Sequence, residues 1–218
     1  MSGTLAGRRL LVSAGPTYED LDPARFLGNR SSGKMGFAIA GAAAARGAQV
    51  VLVAGPVHLP TPAGVQRIDV RSAAQMHAAV MQALPCDAYI GAAAVADFTP
   101  RTPSAHKIKK QPGQDVLVLE LVQTRDILAE VAASAQRPRL VVGFAAETDR
   151  VAEYARGKLQ RKRLDLICAN QVGCAGGGFE CDDNALLVID AAGERALGPA
   201  PKGELAGRLL DIVAERLA

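Results

Sequence analysis

The chain is punctuated by apolar runs that are short enough to be strands and too continuous to have a wet face. Arg9-Leu10-Leu11-Val12-Ser13-Ala14, Gln49-Val50-Val51-Leu52-Val53-Ala54, Asp87 to Ala94, Leu140 to Ala146 and Leu164 to Asn170 all have this character. A strand apolar on both faces must be covered on both, which is the condition of parallel sheets flanked by helices. Helical stretches separate the runs: Lys34 to Arg46, a helix capped by Ser72 and running through Leu84, Asp126 to Ala133, Glu147 to Arg163, and Lys202 to Leu217. Gly64 to Val70 and Asn184 to Asp190 read as further strands. The repeated strand–helix order predicts an α/β fold with a doubly wound, mainly parallel sheet under right-handed crossovers. In such sheets ligands bind beyond the carboxyl ends of the strands, at a switch point. Gly15, Gly91 to Asp97, Phe144 to Glu147 and Asn170 all project to that edge.

No Pro/Ser-rich linker or charge block divides the 218 residues, so residues 1–218 read as one domain, and 49% apolar content is ample for its core. A net charge of +3, no tryptophan and no basic run interleaved with aromatics argue against a nucleic-acid partner. No apolar run is long enough to span a bilayer and Met1-Ser2-Gly3-Thr4 opens no secretory h-region, which makes the cytoplasm the expected address.

Between the first strand and the first helix lies Gly28-Asn29-Arg30-Ser31-Ser32-Gly33-Lys34-Met35-Gly36. A Gly/Ser loop that opens a helix leaves N–H groups without partners at the positive end of the helix dipole, which together make an anion site. Arg25, Asn29, Arg30 and Lys34 crowd the same turn and favour a phosphate over a plain helix cap. The Gly28-x4-Gly33-Lys34 spacing imitates a P-loop, but Met35 stands where the magnesium-binding hydroxyl belongs. Upstream, Gly15 to Pro23 reads as a long polar connection of the kind that is usually functional.

Ala92-Ala93-Ala94 at a strand end lets a flat ligand approach the backbone, and Asp97 is placed to accept its hydrogen bonds, to help hold a metal, or to cap the next turn. Lys107-Ile108-Lys109-Lys110 and Val116 to Leu121, joined through Pro112-Gly113, form a candidate β-hairpin flap. Its lysines serve either a phosphate or only a solvated edge. Tyr154-x3-Lys158 matches the spacing of a short-chain dehydrogenase. Against that reading, the first loop lacks a compact Gly-x-Gly-x-x-Gly, and Val53-Ala54-Gly55 offers no acidic residue to a ribose. Cys86, Cys168, Cys174 and Cys181 show no zinc spacing; the first two read as buried thiols, and a Cys174–Cys181 disulfide is unexpected in a reducing compartment.

Taken together, several stretches resemble the phosphopantothenoylcysteine synthetase family, the synthetase domain of bifunctional bacterial coenzyme A proteins. They are Ser13-Ala14-Gly15-Pro16-Thr17, Asn29 to Gly36, Ala92 to Asp97, Lys107 to Lys110, Val142 to Thr148, Lys158-x3-Lys162 and Asp165 to Asn170, in the family's order. The resemblance implies a Rossmann-like sheet with a flap insertion, and a ligase that joins 4′-phosphopantothenate to cysteine through an acyl-cytidylate. CTP is the implied co-substrate, with Mg2+ carried mainly on its phosphates. By the same resemblance Asn29, Lys107 and Arg25 are catalytic, and Ser31, Ser32, Gly33 and Ala93 bind phosphopantothenate. Gly91, Asp97, Lys107, Arg125, Asp126, Ile127, Leu128, Phe144, Lys158 and Lys162 bind CTP. Lys109 to Val116 would be the lid. Thr124-Arg125 departs from the Asn-Pro usual before the Asp-Ile of the nucleotide segment. The family is homodimeric, and its eukaryotic relatives use ATP. A flavin-dependent decarboxylase domain normally accompanies this one, so the chain reads as a stand-alone synthetase or an excised half.

Overall fold

The computed structural model describes residues 4–110, 112–113, 115–147, 149–171 and 183–218. In chain order the elements are β1 (Arg9–Ala14), β2 (Tyr18–Asp22), β3 (Arg25–Gly28), α1 (Lys34–Ala45), β4 (Gln49–Ala54), β5 (Val65–Asp69), α2 (Ala73–Gln82) and β6 (Ala88–Gly91). They continue with β7 (Phe98–Pro100), β8 (Leu121–Gln123), α3 (Ile127–Ala133), β9 (Leu140–Glu147), α4 (Val151–Arg161), β10 (Leu166–Gln171), β11 (Asp183–Ile189), β12 (Glu194–Pro201) and α5 (Lys202–Leu217).

The central sheet runs β12-β11-β10-β9-β6-β1-β4-β5. From β5 to β10 every pairing is parallel, while β11 and β12 add antiparallel strands at one edge. Counted among themselves, the parallel strands lie in the order 3-2-1-4-5-6, the Rossmann order, whose switch point falls between β1 and β6. The continuous apolar runs are explained by two cores. Leu10, Val12 and Ala14 face a cluster shared with Phe37 and Ile39 of α1 and Leu205 and Leu209 of α5. Leu11 faces the other, with Met76 of α2, Val131 of α3 and Leu159 of α4. Alternate side chains of one strand thus serve opposite layers.

The predicted α/β class, parallel order and main helices are present. The long connection after β1 is a hairpin, β2–β3, turned at Asp22-Pro23 by an Asx arrangement in which Asp22 Oδ1 accepts the N–H groups of Ala24 and Arg25 at 2.8 and 2.9 Å. The flap pairs differently from expectation. β8 joins β7, not Lys107 to Lys110, which form no strand. The backbone of Ile108 is already used by the β2–β3 turn, its N–H given to Asp22 Oδ2 at 3.0 Å and its carbonyl to Arg25 at 2.8 Å. α4 begins only at Val151, because β9 continues to Glu147 in register with Gln171. β12, unforeseen, follows β11 through a turn in which Asp190 accepts from Ala192 and Gly193. Cys174, Cys181 and the Gly176–Gly178 loop lie outside the described residues. Among the described residues, no helix is long and apolar enough to cross a membrane.

Candidate functional site

A cleft of about 430 Å³ opens at the carboxyl ends of the parallel strands. Its first wall is the loop into α1. Gly33 takes φ +73°, a conformation glycine adopts without strain, and supplies no side-chain cap to the helix. The first turn of α1 carries no acidic residue, so Gly33, Lys34, Met35 and Gly36 present its positive end to the cleft. The Ser31 hydroxyl accepts the Gly33 N–H at 3.4 Å and shapes the turn.

The floor is the switch point. Past β1 and β6 the two chains zip together: Ala92 N–H donates to Ser13 O (3.0 Å), Ala94 N–H to Gly15 O (2.9 Å) and Thr17 N–H to Ala94 O (3.2 Å). The buried Thr17 hydroxyl accepts from Ala96 N–H at 3.0 Å. Asn29 is tied to this ledge, its Nδ2 donating to the carbonyls of Ala94 and Val95 at 3.1 and 3.2 Å. Beneath lies a buried pair, Ser13 Oγ and Tyr89 OH, 2.9 Å apart; burial pushes the Tyr89 phenol up, so it stays protonated.

The third wall is the segment before α3. The Thr124 hydroxyl donates to Ala96 O at 2.6 Å and its N–H to Asp97 O at 2.9 Å, which stitches this segment to the ledge. Asp126 caps α3 by accepting Ala129 N–H at 3.1 Å and also holds Lys162 Nζ at 2.9 Å. Lys158 Nζ pairs with Glu147 Oε1 at 2.6 Å. Arg125 pairs with Glu130, which also meets His77 Nε2 at 2.9 Å. The Arg125 guanidinium, with help from His77, holds the Glu130 carboxyl below its usual range. The Asp97 side chain is exposed, and its carboxylate has no hydrogen-bond or ion-pair partner among the described residues.

The fold gathers most of the sequence-predicted residues around this one space. Asn29, Ser31, Ser32, Gly33, Gly91, Ala93, Asp97, Arg125, Asp126, Ile127, Leu128, Phe144, Lys158 and Lys162 all line it. Arg25 and Lys107 do not. Arg25 is engaged by Asp22 and Ile108, and Lys107 is exposed on the neighbouring excursion between β7 and β8. Tyr154 lies off the cleft and packs under Arg150, so its spacing to Lys158 is a helical coincidence. Sequence reasoning missed Ser13, Tyr89, Thr124, Asn184 and Lys202 as lining residues. Lys202 did leave a signal, since a cation at the first position of a helix opposes the dipole.

The arrangement can hold a flat ligand on the small-residue ledge and anions at its ends. The chain is similar to known proteins over nearly its whole length. The DNA/pantothenate metabolism flavoprotein C-terminal domain family matches residues 5–217. The chain is 51% identical over 214 residues to the coenzyme A biosynthesis bifunctional protein CoaBC of Vibrio cholerae, covering 98% of this chain and 54% of that protein. It is 52% identical over 203 residues to the Escherichia coli protein of the same name, covering 92% of this chain and 50% of that one. The chain therefore spans about half the length of the curated relatives it matches. A crystal structure of the C-terminal domain of CoaBC superposes with a TM-score of 0.83 at 38% identity, over 99% of this chain and 98% of that one.

Proposed function

This chain belongs to the DNA/pantothenate metabolism flavoprotein C-terminal domain family, and from that premise we propose that it ligates 4′-phosphopantothenate to L-cysteine at the expense of CTP. The observation that carries the reading is a single cleft holding a helix-opening anion loop, a polar side chain fixed to a small-residue ledge, and lysines on a third wall.

The chemistry follows from what a carboxylate lacks. It is a poor electrophile at neutral pH, so it must first be activated. Its oxygen attacks the α-phosphorus of CTP, the bond to pyrophosphate breaks, and an acyl-cytidylate forms. The cysteine amine then attacks the acyl carbon; CMP leaves and the nitrogen loses a proton. Two anions must meet in the first step, so the protein's task is positioning and charge compensation.

In this reading Ser31, Ser32 and Gly33 cradle the phosphate of phosphopantothenate, while Ala93 offers it a backbone contact. Asn29, fixed by two carbonyls, holds the acyl-cytidylate. The nucleotide lies over Gly91 and Phe144 with the Arg125–Leu128 segment above it, and Lys158 and Lys162 exchange Glu147 and Asp126 for its phosphates or base. Lys107 acts from the adjoining excursion, which Arg25 of β3 meets at the Ile108 carbonyl and which excludes water when it closes.

Magnesium is proposed to arrive on the triphosphate. The donor set suits that: Asp97 offers one carboxylate to the cleft, and no group of three His, Cys, Asp or Glu that could hold a metal ion exists among the described residues. When bound, the ion would offset charge developing at phosphorus. A homodimer is proposed on the exposed apolar side chains of the hairpins and their connection, Phe26, Phe98, Val116, Leu117, Val118 and Leu121. A flavin-dependent decarboxylase is the proposed natural neighbour.

Pyrophosphate release with 4′-phosphopantothenate tests the reading, with CTP compared against ATP before and after cysteine. Release with CTP followed by cysteine-dependent CMP is expected. Release with ATP alone moves the chain to the other nucleotide class, and release with neither refutes the ligase.

A further inference from the structure

Cations enter the cleft from both faces of the sheet. α1 and α5 pack in one core, and their first residues, Lys34 and Lys202, line the cleft from that side. α4 packs in the opposite core and carries Lys158, with Lys162 just beyond its end. The strand ends, with Gly91 and Phe144, divide the two sets.

Lys202 is the cation that helix stability explains least. It is 7% exposed, and it opens a sixteen-residue helix whose preceding residue, Pro201, offers no side-chain cap. A positive charge there opposes the helix dipole. Asn184, 8% exposed, pairs with Ala200 two positions before Lys202 and lines the same cleft. A buried ammonium and a buried amide, in the space that also holds the Ser31–Gly33 turn, make a wall suited to an anion.

Resting on the ligase reading, we propose that Lys202 is a specificity-determining residue that binds the phosphate of the phosphorylated carboxylate substrate, with Asn184 beside it, while Lys158 and Lys162 take the nucleotide. The substrate is long, with its phosphate at one end and its reacting carboxylate at the other. Assigning the phosphate to the α1/α5 side keeps it away from the triphosphate and lowers the repulsion between them.

The test uses the whole chain with Lys202→Met and Lys202→Arg. It reads the KM for 4′-phosphopantothenate, the KM for CTP, and the inhibition constant of unphosphorylated pantothenate. The Met variant is expected to raise the first about ten- to a hundredfold, the worth of one charge-assisted hydrogen bond. The other two constants stay as in the wild type, and the Arg variant recovers most of the loss. Asn184→Ala, which removes no charge, shifts the same constant in the same direction by less, and replaces the Met variant should that not fold. Equal losses for the phosphorylated and unphosphorylated compounds, or none for either, in folded variants overturn the assignment. A wild-type chain that releases no pyrophosphate overturns the ligase reading instead.

Discussion

Replacing Gly36 by alanine probes whether the anion loop is set by one backbone contact. A Cβ at Gly36 would stand 2.4 Å from the Cβ of Ala14 and 3.2 Å from its Cα. Carbon atoms rest about 3.5–4.0 Å apart, so helix and strand must separate by about 1 Å. Ala14 has nowhere to go, being fully buried at the end of a strand paired on both sides. α1 must retreat instead, and it carries Gly33 and Lys34 with it. Overpacking costs about 1–3 kcal/mol and alanine in a helix regains about 1 kcal/mol over glycine, leaving a net loss of about 0–2 kcal/mol. For a chain of this length that lowers the melting temperature by at most about 8 °C. Activity suffers more, because a 1 Å misplacement of a positioning element costs about a hundredfold. The expected result is a mild shift in a thermal melt beside a collapse of kcat/KM for 4′-phosphopantothenate. Adding Ala14→Gly removes the obstructing Cβ and restores much of the rate. Gly157→Ala, whose Cβ meets nothing within 4 Å, is the control and stabilises by about 0.5–1 kcal/mol. Wild-type melting and wild-type kinetics in Gly36→Ala would refute the reasoning.

Lys107→Gln is expected to abolish acyl-cytidylate formation, read as pyrophosphate release without cysteine, while circular dichroism is unchanged; near-normal release would remove Lys107 from the first step. Asp22→Ala should free the excursion at Ile108 and speed tryptic cleavage after Lys107, Lys109 and Lys110. In the wild type the Arg25 guanidinium holds the Asp22 carboxyl well below the usual carboxylate range. The latch is therefore fully present above the ordinary carboxylate pKa and is lost only as pH falls towards the depressed one, so a digestion rate that rises already at pH 5 would contradict it. Burial pushes the Cys86 thiol up to about 12 and raises Cys168 as well. Peptide mapping after alkylation at pH 8 should find both unmodified until the protein is denatured, and labelling of Cys168 in the native chain would disprove its burial.

The parts of this fold legible in the sequence were those whose residues answer to their own neighbours. β1 and β4 begin and end where their apolar runs do, and Ser72 caps α2 as expected, in a capping box that Gln75 completes. The parts that were not legible answer to distant residues. β2 buries Glu19 and Asp22, so no apolar alternation announces a strand; Glu19 is spent on the N–H of Ala73 at the start of α2, 2.8 Å away. β12, with Gly198 and Pro199 inside it, is held by its pairing with β11 against its own propensity. The flap was misread because Lys107 to Lys110 and Val116 to Leu121 look like partners locally, while Phe98 to Pro100 is the partner available after the ledge. The candidate site was legible as motifs, and its missing wall was not, since Asn184 and Lys202 belong to no motif near the loop they face.

Because β1 lies in the interior of the sheet and β11, β12 and α5 are its last additions, the ribosome delivers this cleft in a fixed order. The strands on either side of β1 emerge first and can bury one another while the chain is still being made. The wall that bears Asn184 and Lys202 comes last and exists only once α5 has docked against α1. A nascent chain therefore gathers Lys158 and Lys162 before Lys202, and the cleft is complete only with the final helix.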